Sequence, residues 1–130
     1  MQVVIDPSAV LAVLLHEPER ASLIESTRQA VLIAPASLPW EIGNALIAGL
    51  RRKRLRLADV KAAWRSFEEI PMRLVDVDMG RALEVAAEHR LYAYDAYVLE
   101  AALSRRLPLL TLDSALARAA RQTGVTVLEV

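Results

Sequence analysis

The sequence predicts an α/β protein of the three-layer α/β/α kind, with helices on both faces of a central, mostly parallel, five-stranded sheet. Three observations carry that expectation. Short apolar runs such as Val3-Val4-Ile5 and Val31-Leu32-Ile33-Ala34 lack the alternation of a half-exposed strand, and so suit strands covered on both faces. Longer stretches between them repeat apolar residues at helical spacing. The passage from strand to helix also carries a carboxylate at Asp6, Asp78 and Asp113, where a helix N-cap is wanted.

The first strand stops at Asp6, and Pro7 suits the first position of a helix running from Ser8 to His16 with Val10, Leu11, Leu14 and Leu15 as its stripe. Pro18 interrupts, and Glu19 to Ala30 reads as a second amphipathic helix through Leu23, Ile24 and Thr27. Val31 to Ala34, closed by Pro35, is the second strand. Ser37 or Pro39 opens a helix that buries Ile42, Ala45, Leu46, Gly49 and Leu50. Leu57-Ala58-Asp59 leads into another through Val60, Ala63, Trp64 and Phe67, ending near Pro71. Arg73 to Val77 is the third strand, and Asp78 caps a helix reaching His89. Tyr94 to Arg106 is apolar almost all round and is expected to be largely buried. Pro108 to Leu112 is the fourth strand, Ser114 to Gln122 the last helix, stopped by Gly124, and Val125 to Val130 the fifth strand.

At 130 residues, 1–130 reads as a single domain with one sizeable core. A charged fraction of 25% interrupts every apolar stretch, so no membrane span is expected, and the N-terminus has no signal-peptide pattern. With no cysteine, disulfides, cysteine-ligated zinc and thiol nucleophiles are excluded, and a cytoplasmic location is the default. His16 and His89 are solitary, and no glycine-rich phosphate loop is present.

Four acids stand apart: Asp6, Glu41, Asp95 and Asp113. Each has an ordinary explanation as a cap or a first-turn acid favoured by the helix dipole. In a right-handed parallel sheet, however, strand carboxyl ends and the following helix N-termini share one rim, so topology brings all four to the same edge. If the first strand lies beside the fourth, Asp6 and Asp113 flank the crevice where such sheets bind ligands. Clustered carboxylates without Lys or Arg repel, and the natural compensation is a divalent cation with oxygen ligands, Mg²⁺ or Mn²⁺. Such ions activate water for phosphodiester cleavage.

At these residues the chain resembles the PIN-domain nucleases, and among them the VapC-type toxins of prokaryotic toxin–antitoxin pairs. Val4-Ile5-Asp6-Pro7-Ser8-Ala9 is similar to the family's first acidic motif, and Trp40-Glu41-Ile42-Gly43-Asn44-Ala45-Leu46 to its second. Tyr94-Asp95-Ala96-Tyr97 and Leu110-Thr111-Leu112-Asp113-Ser114 match the third and fourth, in order along the whole chain. The resemblance implies that Asp6, Glu41, Asp95 and Asp113 are the catalytic acids and Mg²⁺/Mn²⁺ ligands, with Asp6 and Asp95 the first choices for direct contact. Ser8 and Thr111 would support the site through their hydroxyls, and Asn44, one turn after Glu41, from the same helix face. It further implies endoribonuclease action on RNA, neutralisation by a cognate antitoxin protein, and a homodimer.

Two other functions compete. A phosphoacceptor signalling domain also sets acids around Mg²⁺, but it needs a Lys ending the last strand and an acidic pair after the first, where this chain has Leu128-Glu129-Val130 and Asp6-Pro7. A non-catalytic RNA-binding domain of the same fold is argued against by the intact acids. The basic run Arg51-Arg52-Lys53-Arg54-Leu55-Arg56 reads either as a solvated helix end or as a phosphate contact, with Arg105 and Arg106 as weaker candidates. The stripe of Leu11, Leu14, Leu23 and Ile24 is expected in the core, and becomes the antitoxin surface if exposed.

Overall fold

A computed structural model describes residues 1–130. Its elements follow the order β1 (Gln2–Ile5), α1 (Pro7–Leu14), α2 (Arg20–Thr27), β2 (Val31–Pro35), α3 (Leu38–Arg51), α4 (Leu57–Glu68), β3 (Arg73–Val75), α5 (Met79–His89), α6 (Ala93–Arg105), β4 (Leu109–Leu110) and α7 (Ser114–Gln122). The sheet order is β3-β2-β1-β4, and every pairing is parallel. β1 therefore lies between β2 and β4, and the chain reverses its direction of winding at the carboxyl end of β1.

The apolar run of β1 is buried on both sides, whereas in β2 only Ile33 and Ala34 of the run are buried and Val31 is 50% exposed. Val3 and Ile5 face one core with Val10, Leu38, Ile42 and Leu46, built by α1 to α4. Val4, between them, faces a second core with Val98, Leu99, Leu109 and Leu116, built by α5 to α7. Alternate side chains of one strand thus enter different cores, and each fully buried aliphatic contributes ~1.5–3 kcal/mol. The two clusters lie between the sheet and the two outer helical layers of the α/β/α sandwich.

The sheet has four strands rather than five. Val125 to Val130 makes one bridge, Leu109 to Val127, in which the Leu109 N–H donates to the Thr126 carbonyl at 2.9 Å and the Leu128 N–H to the Leu109 carbonyl at 2.9 Å. β4 is only two residues long, so its outer edge offers one residue's donor and acceptor and no ladder can propagate. β3 is likewise shorter than the apolar pattern suggests, ending at Val75, because Asp76 and Val77 lead into the cap of α5.

Helix ends follow local chemistry. Asp6, Asp78 and Asp113 accept from the backbone N–H of Ala9, Arg81 and Leu116. Gly124, at φ +86°, takes the left-handed conformation just past α7. Gly49 lets Leu55 fold back onto α3, since a Cβ there would sit 2.7 Å from Leu55 Cδ1. α6 is buried through Ala96, Val98, Leu99, Ala101 and Ala102, as expected, but also through Glu100, which is 2% exposed. No helix is long and apolar enough to cross a membrane.

Candidate active site

Asp6 ends β1 and opens α1 with an extended backbone, φ −102° and ψ 169°, and is 2% exposed. Its Oδ1 receives the Ser8 hydroxyl at 2.7 Å and the Ala9 N–H at 3.4 Å. Ser8 in turn accepts the Leu112 N–H at 2.9 Å and lies 3.3 Å from the Thr111 hydroxyl, which accepts the Asp113 N–H at 3.0 Å. This chain of bonds ties the end of β1 to the loop after β4. It exists because β1 and β4 are sheet neighbours.

Burial pushes the Asp6 carboxyl up from 3.8 to about 6, against the lowering effect of Ser8, Thr111 and the Ala9 N–H, and the charge of Asp113 adds to the rise. Glu41, in the first turn of α3, is pushed up from 4.5 to about 7, first by burial and then by the charges of Asp95 and Asp6. The Ser37 hydroxyl donates to Glu41 Oε2 at 3.0 Å and opposes that rise. Asp95, in the first turn of α6, is raised by burial and then by the charge of Asp113. The four acids come from four separate parts of the chain, and the charges of Asp113, Asp95 and Asp6 still reach the carboxyls of Asp6, Glu41 and Asp95.

All four, with Ser8 and Asn44, line a single cleft of about 410 Å³ at the carboxyl end of the sheet, together with Pro7, Leu11, Trp40 and Tyr94. Thr111 lies beneath it, 6% exposed. None of the four acids has a basic partner, for the ion pairs of the molecule are Arg28–Glu25, Arg56–Asp59, Arg81–Glu84 and His89–Glu88. Asp78, the third strand-end acid, stays outside the cleft as a cap of α5, its own N–H donating to Glu100 Oε2 at 3.2 Å.

The donor set fits a hard divalent cation. The cleft holds four carboxylates, hydroxyls and one amide but no Lys, Arg, His or Cys, the carboxylates have no basic partner, and charge on neighbouring acids raises the cost of ionising Glu41 and Asp95. No three acids close into a ready-made cage.

The basic run Arg51 to Arg56 is exposed except at Leu55 and contributes nothing to the cleft. It lies at the far end of α3, ~15 Å along the axis from Glu41. Arg105 donates to the Asp76 carbonyl at 3.1 Å. Leu14 and Leu23 are buried as expected, whereas Leu11 is half-buried at the cleft and Ile24 is 37% exposed. Ile24 lines an apolar groove of about 350 Å³ with Val13, Leu23, Leu32 and Met72. Sequence reasoning did not assign Ser37 to Glu41, although the spacing of four on a helix start carries the signal, and it overlooked the burial of Glu100.

Residues 3–122 match the family model described as the PIN domain. The chain is similar to ribonuclease VapC3 of Mycobacterium tuberculosis, with 31% identity over 119 residues that cover 91% of this chain and 87% of that protein. Among solved structures it resembles PAE2754 from Pyrobaculum aerophilum, with a TM-score of 0.71 and 24% identity over 92% of this chain and 79% of that one. It also resembles a toxin–antitoxin complex from Klebsiella pneumoniae, with a TM-score of 0.57 and 16% identity over 86% of this chain and 87% of that one.

Proposed function

The chain belongs to the PIN-domain family, in its VapC branch, and we propose on that footing that it is a metal-dependent endoribonuclease, the toxin of a toxin–antitoxin pair. The observation that carries the reading is the cleft itself: carboxylates from the ends of β1 and β4 and the starts of α3 and α6 converge, and no cation of the chain answers them. The relative's ribonuclease name supports RNA as the substrate, and the Klebsiella complex supports a cognate antitoxin as partner. A homodimer working in the cytoplasm completes the proposal.

Asp6 and Asp95 would hold Mg²⁺ or Mn²⁺ with help from Asp113 and Glu41. The ion would activate water and neutralise charge on the leaving oxygen when bound. The chain's own part is positional. Ser8 and Thr111 fix Asp6 against α1 and the β4–α7 loop, so its free carboxylate edge points into the cleft. Ser37 donates to Glu41 and orients its carboxylate at the cleft. Asn44, one turn on, offers an amide to a phosphate oxygen.

The test is incubation of the purified protein with structured RNA, with and without Mn²⁺, beside Asp6→Asn and Asp95→Asn. Metal-dependent cleavage abolished by both substitutions, with folding intact by circular dichroism, is expected. Undiminished cleavage by Asp95→Asn overturns the site assignment.

A further inference from the structure

A cleft that cuts RNA must hold a polyanion, yet none of the residues lining this one is Lys or Arg. The dense basic run Arg51 to Arg56 is at the other end of α3. A divalent ion would grip the phosphate at the bond being cut and leave the nucleotides on either side without a partner. Their binding has to come from groups that do not depend on charge.

Two large rings stand in that place. Trp40 is 76% exposed and Tyr94 52% exposed, and both line the acidic cleft. Trp40 immediately precedes Glu41 in the first turn of α3, and Tyr94 immediately precedes Asp95 in the first turn of α6. Successive helical residues point ~100° apart, so each ring stands on the flank of the cleft while its neighbouring carboxylate reaches in. An indole left this open is unusual, and the chain's other tryptophan, Trp64, packs on Phe67 at 5.2 Å. The Tyr94 ring is braced by Tyr97 at 5.5 Å and 80°, which sets its orientation before any ligand arrives.

We propose that Trp40 and Tyr94 are stacking platforms for the nucleobases on either side of the scissile phosphate. Every base has a π-face, so stacking gives affinity without a sequence code or a basic side chain. In a duplex those faces are covered by neighbouring base pairs, and exposing them costs unstacking. The inference rests on the ribonuclease reading of the same cleft and deepens it with two base-binding residues.

The experiment separates the two. Fluorescence anisotropy would follow a labelled methylphosphonate-linked oligo(A), whose backbone is uncharged and not cleaved, as the single strand and as its duplex with oligo(U). Wild-type protein should bind the single strand and bind the duplex weakly. Trp40→Ala and Tyr94→Ala should each weaken single-strand binding roughly five- to hundredfold. Trp40→Phe and Tyr94→Phe should keep most of it, since the exposed positions tolerate either ring. With single-stranded RNA and Mn²⁺, the alanine variants should raise KM more than they lower kcat. Unchanged binding in both alanine variants overturns the proposal, as does equal binding of the duplex. So does a Trp40→Ala protein that loses self-association while binding the oligonucleotide normally, which would give the ring to an interface between copies. If wild-type protein cleaves no RNA but the anisotropy results hold, the ribonuclease reading falls and the stacking platform stands. Cleavage by wild type with ring-independent binding has the opposite meaning.

Discussion

The Ser8 hydroxyl donates to Asp6 Oδ1 at 2.7 Å while accepting the Leu112 N–H at 2.9 Å, so one small side chain joins the first acid to the loop that carries the fourth. Asp6 is almost fully buried, and a buried carboxylate without donors is costly. Ser8 therefore sets both the position of Asp6 and its readiness to ionise.

Ser8→Ala should leave the Leu112 N–H unpaired and remove a bond that lowers the Asp6 pKa. A stability loss of ~1–2 kcal/mol is expected from urea unfolding. The acid limb of the pH–rate profile should move to higher pH. A profile that stays in place while stability drops would show that Ser8 braces the fold alone.

The metal-free protein should lose stability as pH rises from about 4 to about 7. Asp6 and Glu41 titrate at about 6 and about 7 in the fold against ordinary values of 3.8 and 4.5, so through that window the native state binds more protons than the unfolded chain. Stability falls wherever that holds, and it flattens above the higher value. For Asp6 the shift corresponds to roughly 3 kcal/mol at most. Melting in EDTA across this range should show the fall, and Asp6→Asn should remove part of it. A melting temperature that climbs over the same range would contradict the placement of these acids.

Adding Mg²⁺ should reverse that trend. Binding only to the folded protein stabilises it by ~1.4 kcal/mol for each tenfold excess over Kd once the site is largely filled. The shift in melting temperature should be large at pH 8, where the acids are ionised, and small at pH 5, where protons hold Asp6 and Glu41. Asp95→Asn should shrink it at pH 8. Equal shifts in the wild-type and Asp95→Asn proteins would place the ion elsewhere.

Glu100 should prove structural. It is buried on α6 and accepts the Asp78 N–H, which ties α6 to the start of α5. Glu100→Gln keeps an acceptor and should change stability by less than ~1 kcal/mol, whereas Glu100→Ala opens a cavity and orphans the N–H, costing ~2–4 kcal/mol. Both should cleave normally below their melting temperatures. A Gln variant that folds well but has lost activity would move Glu100 into the catalytic machinery.

Most of the scaffold was legible in local patterns. Two-sided burial of Val3 to Ile5 and of Ile33 and Ala34 shows in their unbroken apolar runs, although Val31 at the start of β2 is 50% exposed, and the caps at Asp6, Asp78 and Asp113 show as acids between strand and helix. The fifth strand was misread because Val125 to Val130 has strand composition, whereas a ladder depends on the length of its neighbour, and β4 has two residues.

Asp78 and Asp113 show where local reading stops. Both follow a strand, both cap a helix, and both accept an N–H three residues on. By itself the sequence determined that each would be a cap, since capping depends only on the few residues around it. The tertiary structure alone decided that Asp113 faces Asp6 while Asp78 does not. In the order β3-β2-β1-β4, β4 borders β1, whereas β3 is two strands away at ~4.8 Å per strand. Charge repulsion, burial and the resulting proton affinities are through-space quantities, so they follow sheet order and not position along the chain.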